Sequence, residues 1–189
     1  MTQSALEFLL QRRSHPARLL SLPVPDADQL QTILTAAART PDHGKLEPFR
    51  FILLRRGALD RLAALAGARG AALGKEEGPL LKAVTQFSQS PFAIAVVQVP
   101  RPTDKVPAIE QTYTAGAVAL ALLNAAMASG FAANWLTGWT AYDPTFLAEG
   151  LGLQLGESLV GFVHIGTSTS TPPERPRPDL AQIVSELPE

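Results

Sequence analysis

A chain of 189 residues, 46% hydrophobic and 17% charged, suits one domain, and a domain of that size buries about 70% of its unfolded surface. A formal net charge of −1 argues against nucleic acid or anionic lipid as partner, since both call for a basic excess. The absence of cysteine excludes disulfides, thiolate metal sites and a cysteine nucleophile, and it fits a reducing compartment.

The first residues, 1–8, carry neither a basic n-region nor an apolar h-region, so no signal peptide is expected and the chain reads as cytoplasmic. Over residues 4–13, Leu6, Leu9, Leu10 and Arg13 follow helical spacing, and Ser4 with Glu7 forms a capping-box pair. Arg12-Arg13-Ser14 closes this helix. Cations there complement the helix dipole. Adjacent helical residues point about 100° apart, so the two arginines are not expected to serve one face. Pro23 and Pro25 extend the chain, and Asp26 caps a second helix with Leu30, Ile33, Leu34 and Ala37 as its buried stripe.

Residues 38–51 join that helix to an apolar strand, 49–54. Pro41, Gly44 and Pro48 fix the turn, Arg39 stands at the helix end, and His43 lies four positions on. A rigid loop carrying Arg and His suits the edge of a ligand; a surface loop with a solvated Arg and a bracing His is the competing reading. A helix is expected over 57–66. The Gly- and Ala-rich residues 67–79 read as a mobile connection or lid, and 80–89 as a helix. Residues 92–99 are almost wholly apolar and predict a strand buried on both faces.

From Gln111 to Tyr142 there is no Asp, Glu, Lys, Arg or His. Residues 108–129 predict one long helix stopped by Gly130. Its length would suffice for a membrane span. Thr112, Thr114, Asn124 and Ser129 interrupt it, however, and neither end carries a positive cluster, so no membrane is expected. Being apolar all round, it is expected to be buried all round, at the centre of a domain or of a dimer. Abundant small residues and low charge point to apolar surface shared between subunits. A short strand over 131–136, a turn at 137–140, a helix opened by Asp143-Pro144 and a last strand over 158–165 follow. Residues 168–189 form a Pro-rich extension containing Arg175 and Arg177, expected to wrap a surface or stay disordered.

This order predicts one mixed α and β domain over residues 1–189 with a single sheet. The dinucleotide, P-loop and nucleophile-elbow glycine motifs are absent, and His15, His43 and His164 do not stand at metal spacing.

Four separated features then form an ordered set. Arg12-Arg13-Ser14 ends the first helix. Arg39-Thr40-Pro41-Asp42-His43, followed by Glu47-Pro48-Phe49, ends the second. The Ala-rich helix closes on Ser129-Gly130 and runs into Trp135-Leu136-Thr137-Gly138. Gly161-Phe162-Val163-His164-Ile165-Gly166 comes last. Across residues 4–167 this set resembles the nitroreductase family, in its small single-domain branch of YdjA-like NAD(P)H nitroreductases. The resemblance implies an α+β nitroreductase-like fold: a central, mostly antiparallel sheet flanked by helices, with a long central helix at a homodimer interface. It implies one FMN at each subunit interface, reduced by NADH or NADPH and reoxidised by a nitroaromatic, quinone or similar small-molecule acceptor. By position it assigns Arg12, Arg13, Ser14, Arg39, His43, Trp135, Leu136 and Thr137 to FMN. It places Ala125, Ala126, Met127, Ala128, Ser129 and Gly130 near the nicotinamide nucleotide.

The chemistry of the residues is compatible with that assignment. A flavin phosphate suits the two parallel donors of a guanidinium. A cation near the pyrimidine edge favours the reduced flavin, a role open to Arg39. Trp135 either packs along the ring or fills the core, and His43 either meets the ligand or braces its loop. Arg175 and Arg177 either add charge or stay solvated. The cofactor carries the redox step, so no catalytic side chain is named, and one shared open face predicts ping-pong kinetics. Two departures are present: Glu47-Pro48-Phe49 replaces the family's usual Gln-Pro-Trp, and Leu136 stands where a polar or basic residue is usual. They keep open a flavin-binding protein without efficient turnover. A cofactor-free helical interaction protein is a further alternative.

Overall fold

The computed structural model describes residues 4–188. Residues 1–3, where the reading of the N-terminus begins, and residue 189, the end of the extension, lie outside them. In chain order the elements are α1 (Ala5–Gln11), α2 (Ala27–Ala38), β1 (Phe49–Leu54), α3 (Arg56–Ala72), α4 (Glu77–Ser88), β2 (Ala93–Gln98), α5 (Ala108–Ala128), β3 (Ala132–Leu136), α6 (Pro144–Leu151), β4 (Ser158–Gly166) and the short α7 (Leu180–Ile183).

Alternation along β2 divides the molecule into layers. Side chains of successive strand residues point to opposite faces. Ala93, Ala95 and Val97 join a core with Leu59, Leu62 and Phe87, which come from α3 and α4. Ile94 and Val96 join a second core with Ile33, Val118 and Leu122, from α2 and α5. Both faces are covered, which explains the unbroken apolar run of β2. The sheet has strand order β1-β2-β4-β3, with every pair antiparallel. The fold is α+β with a helix layer on each side of an antiparallel sheet, as the resemblance implies.

Local signals set the helix starts. Ser4 and Glu7 form the reciprocal capping box of α1, and Asp26 with Gln29 does the same for α2. Asp143 accepts from the Phe146 N–H at 2.7 Å, and Pro144 takes the first turn of α6. At the far end of α5, Gly130 turns with φ 88°, and the chain reverses into β3.

Two expectations are corrected. Residues 67–79 are not one long connection or lid: α3 runs on to Ala72 and α4 begins at Glu77, so only 73–76 form the turn between them. Their small residues serve packing, since a side chain at Gly70 would run into Leu80 of α4. The first helix stops at Gln11, so Arg12 has extended geometry (φ −57°, ψ 139°), and the helical argument about the arginine pair does not apply. Within one chain the core covers only one side of the long helix α5: Ile109, Tyr113 and Leu120 are 51%, 66% and 46% exposed, so the domain alone does not bury it all round and the dimer alternative stays open. No helix among the described residues is long and apolar enough to cross a membrane.

Candidate functional site

Two adjoining cavities hold six of the eight residues assigned to FMN. The smaller, about 300 Å³, is lined by Arg12, Arg13, Ser14, Arg175 and Arg177 together with prolines of both segments. The extension therefore folds back over the end of α1, and Glu174 ion-pairs with both Arg13 and Arg177. The two arginines of the pair divide their work. Arg13 turns its Nη1 back onto the carbonyls of Leu10, Gln11 and Arg12 at 3.2, 2.7 and 2.9 Å, and so caps the orphan end of α1. Arg12 donates only a long bond to the Ser14 hydroxyl, 3.3 Å. Its Nε is buried without a partner. Burial, and then the charges of Arg177 and Arg13, lower the Arg12 pKa. A buried guanidinium donor without an acceptor, among like charges, is the environment that an anion relieves.

The larger cavity, about 770 Å³, is an open cleft. Its floor is Asn134–Trp139, its near wall the turn Pro16–Arg18, and its far wall the α4 residues Pro79, Lys82, Ala83 and Gln86. Pro16 lines both cavities. The near wall is fixed to the sheet, because the His15 N–H donates to the Ala133 carbonyl at 3.0 Å and Ser21 pairs with Thr167 beside the end of β4.

Trp135 is placed by a bulge. The β2–β4 register shifts between Val96 and Val97, so Val160 is an extra residue in β4. The indole Nε1 of Trp135 donates to the Val160 carbonyl at 3.3 Å. It lies over Gly161, where an added Cβ would overlap the indole. Bulges re-aim side chains beside functional sites, and this one leaves Trp135 both packed on the second core and lining the cleft. The two readings of Trp135 are compatible. Leu136 and Thr137 continue the same floor.

Arg39 and His43 lie elsewhere. Arg39 is the exposed C-cap of α2. His43 lines a third cavity of about 460 Å³ with Glu110 and Tyr113, and its Nδ1 is 2.6 Å from Glu110 Oε2. That cavity shares no residue with the other two. The loop is held as rigidly as its prolines predict. Glu47 N–H donates to Asp42 Oδ2 at 2.6 Å, and Arg101 donates to the Glu47 carbonyl. Gly44, Lys45 and Glu47 all have left-handed φ values, 77°, 53° and 49°. Glu47 thus enters the loop through its backbone, with its side chain exposed. Ala125–Gly130 form the last turn of α5 and its stop; they line none of these three cavities, and Ala126 is buried in the second core.

Sequence reasoning missed the α4 wall. Its signal was present: Pro79, Lys82, Ala83 and Gln86 stand at i, i+3, i+4 and i+7, one helical face. Nothing in that face, however, distinguishes a cleft wall from a solvated helix.

Residues 9–167 match the Nitroreductase family. An Escherichia coli K12 protein named "Putative NAD(P)H nitroreductase YdjA" is 34% identical over 163 residues, 86% of this chain and 87% of that protein. A Haemophilus influenzae protein named "Putative NAD(P)H nitroreductase" is 38% identical over 165 residues, 86% of this chain and 88% of that one. Among solved structures, a nitroreductase-like family protein from Bacillus cereus matches at 23% identity with a TM-score of 0.80, covering 99% of this chain and 97% of that chain. A Desulfovibrio desulfuricans structure described as "a putative nitroreductase in complex with FMN" matches at 22% identity and a TM-score of 0.76, covering 99% of each. At these identities the structural likenesses establish the fold.

Proposed function

Because this chain belongs to the nitroreductase family, we propose that it is an FMN-dependent NAD(P)H oxidoreductase. Bound FMN would supply the redox chemistry, taking two electrons from NADH or NADPH and passing them to a nitroaromatic, quinone or similar acceptor. The observation that carries the reading is the arginine corner, where the Arg12 Nε is buried and unpartnered beside Ser14, Arg175 and Arg177. Those residues would take the phosphate, with Arg12 donating the charge-assisted bonds and the two tail arginines adding charge. Arg13 enters mainly as the clamp that ends α1 at the right place.

Pro16 joins this corner to the cleft, so a ligand with an anionic end and a flat ring system spans both. Trp135, Leu136 and Thr137 would lie along the ring. The open cleft leaves one face through which reductant and acceptor pass in turn, which is the basis for ping-pong kinetics. The turn Ala125–Gly130 is assigned to the nicotinamide nucleotide by family position. The names of the E. coli and H. influenzae relatives support the nicotinamide reductant, and the description of the Desulfovibrio structure supports FMN.

Arg39 and His43 reach this ligand only from a second subunit, because their own cavity is separate. The exposed apolar stripe of α5, Ile109, Tyr113 and Leu120, is the surface on which a homodimer would form. The absorption spectrum of the purified protein tests the reading. A yellow protein that bleaches anaerobically with NADPH or NADH, and parallel double-reciprocal lines, are expected. A colourless protein that takes up no FMN overturns it.

A further inference from the structure

The cleft has a chemical bias that the flavin reading does not use. Of its lining side chains, two are charged, and both are cations: Arg18 on the near wall and Lys82 on the α4 wall. Most other arginines of the fold are committed. Arg50, Arg56 and Arg69 pair with Glu157, Asp60 and Asp143, and Arg61 binds the carbonyls of Glu149 and Gly150. Arg18 and Lys82 have no carboxylate partner among the described residues. A third cation, Lys75, is not part of the lining but sits 5.7 Å from the ring centroid of Trp139, which is part of it. Asp143, which follows that segment, is neutralised by bidentate contact with Arg69 at 3.1 and 2.9 Å.

The remaining lining is flat and apolar. Trp135 and Trp139 form an aromatic floor, with Pro16, Ala83 and Leu136 around them. Planar aromatic surfaces select planar ligands, and unpaired cations at the edge of such a floor select negative charge. We propose that Arg18 and Lys82 form an anion subsite, so that the cleft prefers aromatic molecules bearing a carboxylate or phosphate. This deepens the oxidoreductase reading by naming the class of molecule that exchanges electrons in the cleft. Two sources share that chemistry: a carboxylated aromatic acceptor, or the adenosine 2′-phosphate that separates NADPH from NADH.

The binding test does not depend on turnover. The chain has two tryptophans, both lining the cleft, so fluorescence quenching reports this site alone. The purified protein is titrated with 4-nitrobenzoate against nitrobenzene, and with adenosine 2′,5′-bisphosphate against 5′-AMP. Arg18→Gln, Lys82→Gln and Lys82→Glu are titrated in parallel, after the bound flavin of each is measured from its absorbance. The more negative member of at least one pair, 4-nitrobenzoate or the 2′,5′-bisphosphate, is expected to bind about tenfold tighter. That preference should shrink severalfold in each Gln variant, vanish or invert in Lys82→Glu, and weaken with salt. Preference in the first pair assigns the subsite to the acceptor, and preference in the second to NADPH. Equal binding within both pairs, or a preference that survives Lys82→Glu, overturns the proposal. Because no reductant is present, either result stands whether or not the flavin turns over, and the bleaching experiment judges that separately.

Discussion

At the residue scale the charge arrangement around Arg12 decides the most. The triplet Arg12-Arg13-Ser14 was visible in sequence, but which arginine does what was not, because the answer turns on where α1 stops. Ending at Gln11 leaves Arg13 able to reach three carbonyls and leaves Arg12 Nε without an acceptor. Arg12→Ala is therefore expected to weaken FMN binding by about 1.5–3 kcal/mol, the worth of a hydrogen bond to a charged group. Arg13→Ala should weaken it less and lower thermal stability instead. Flavin retained after dialysis, measured beside the melting temperature, separates the two, and full retention in Arg12→Ala would misplace the phosphate. His164 makes a second prediction. The Ser90 hydroxyl donates to the Phe92 carbonyl at 3.0 Å, so it accepts from His164 Nδ1–H at 2.9 Å. That leaves Nε2 bare, buried and unpartnered, and burial pulls the pKa down to about 4. The unfolded chain takes up this proton near pH 6.5, while the folded chain resists it until about pH 4. Stability is therefore full above pH 6.5 and falls as pH drops toward 4, by about 3 kcal/mol over the window. His15, also lowered by burial, adds in the same direction. Asp143 and Glu157, whose arginine partners lower their pKa values, lose their contribution only at still lower pH. Urea midpoints at pH 7 and 4.5 should therefore converge in His164→Gln more than in the native chain; an unchanged pH slope would show that the ring is not held neutral.

At the scale of elements, caps and apolar runs were legible, including the run of β2 that is buried on both faces, while a Gly-rich stretch misled. The boundaries of β1 follow from its apolar run, and the starts of α2 and α6 from their caps. Residues 67–79 read as a mobile connection because their glycines signal breaks in isolation. In the fold residues 67–72 are the close-approach surface of α3, with Gly70 against Leu80 and Trp139. The α4 wall of the cleft is set by the short turn 73–76, which folds α4 back against this end of α3. The bulge in β4 was equally illegible: nothing in the sequence distinguishes Val160 as an unpaired residue, although Gly161 beside it was part of the motif. Gly161→Ala tests the connection between bulge and cleft. Its Cβ would meet the Trp135 indole and stand 3.0 Å from the Leu136 carbonyl, and overpacking of this kind costs about 1–3 kcal/mol. The expected result is a lower denaturation midpoint together with a shifted tryptophan emission and weaker flavin retention, since Trp135 and Leu136 are displaced together. A loss of stability with emission and flavin unchanged would show that the bulge supports the sheet but does not place the cleft floor.

At the scale of the whole molecule, the uncharged stretch 111–142 was read correctly as one helix and a strand, and its expected burial on every side is met within one chain on one side of the helix only. One side of α5 carries the second core through Val118, Ala119, Leu122 and Ala126. The opposite side presents Ile109, Tyr113 and Leu120 to solvent, at the i, i+4 and i+11 spacing of one stripe. Asn124 continues that stripe and is half-buried. In the proposed homodimer this stripe would be the covered surface. His43, held to Glu110 at the start of the same helix, would then be brought toward the second chain. Assembly and cofactor binding should therefore be lost together. Tyr113→Glu and Leu120→Glu each place a carboxylate against its symmetry copy or against apolar surface, and an unpaired buried charge costs several kcal/mol. Light scattering is expected to give a dimer for the native chain and a monomer for the variants. Flavin retention should fall in the variants even though neither residue lines the arginine corner or the cleft. A native monomer that holds FMN, or variant monomers that hold it undiminished, would show that one chain completes the site alone, and Arg39 and His43 would then have no part in it.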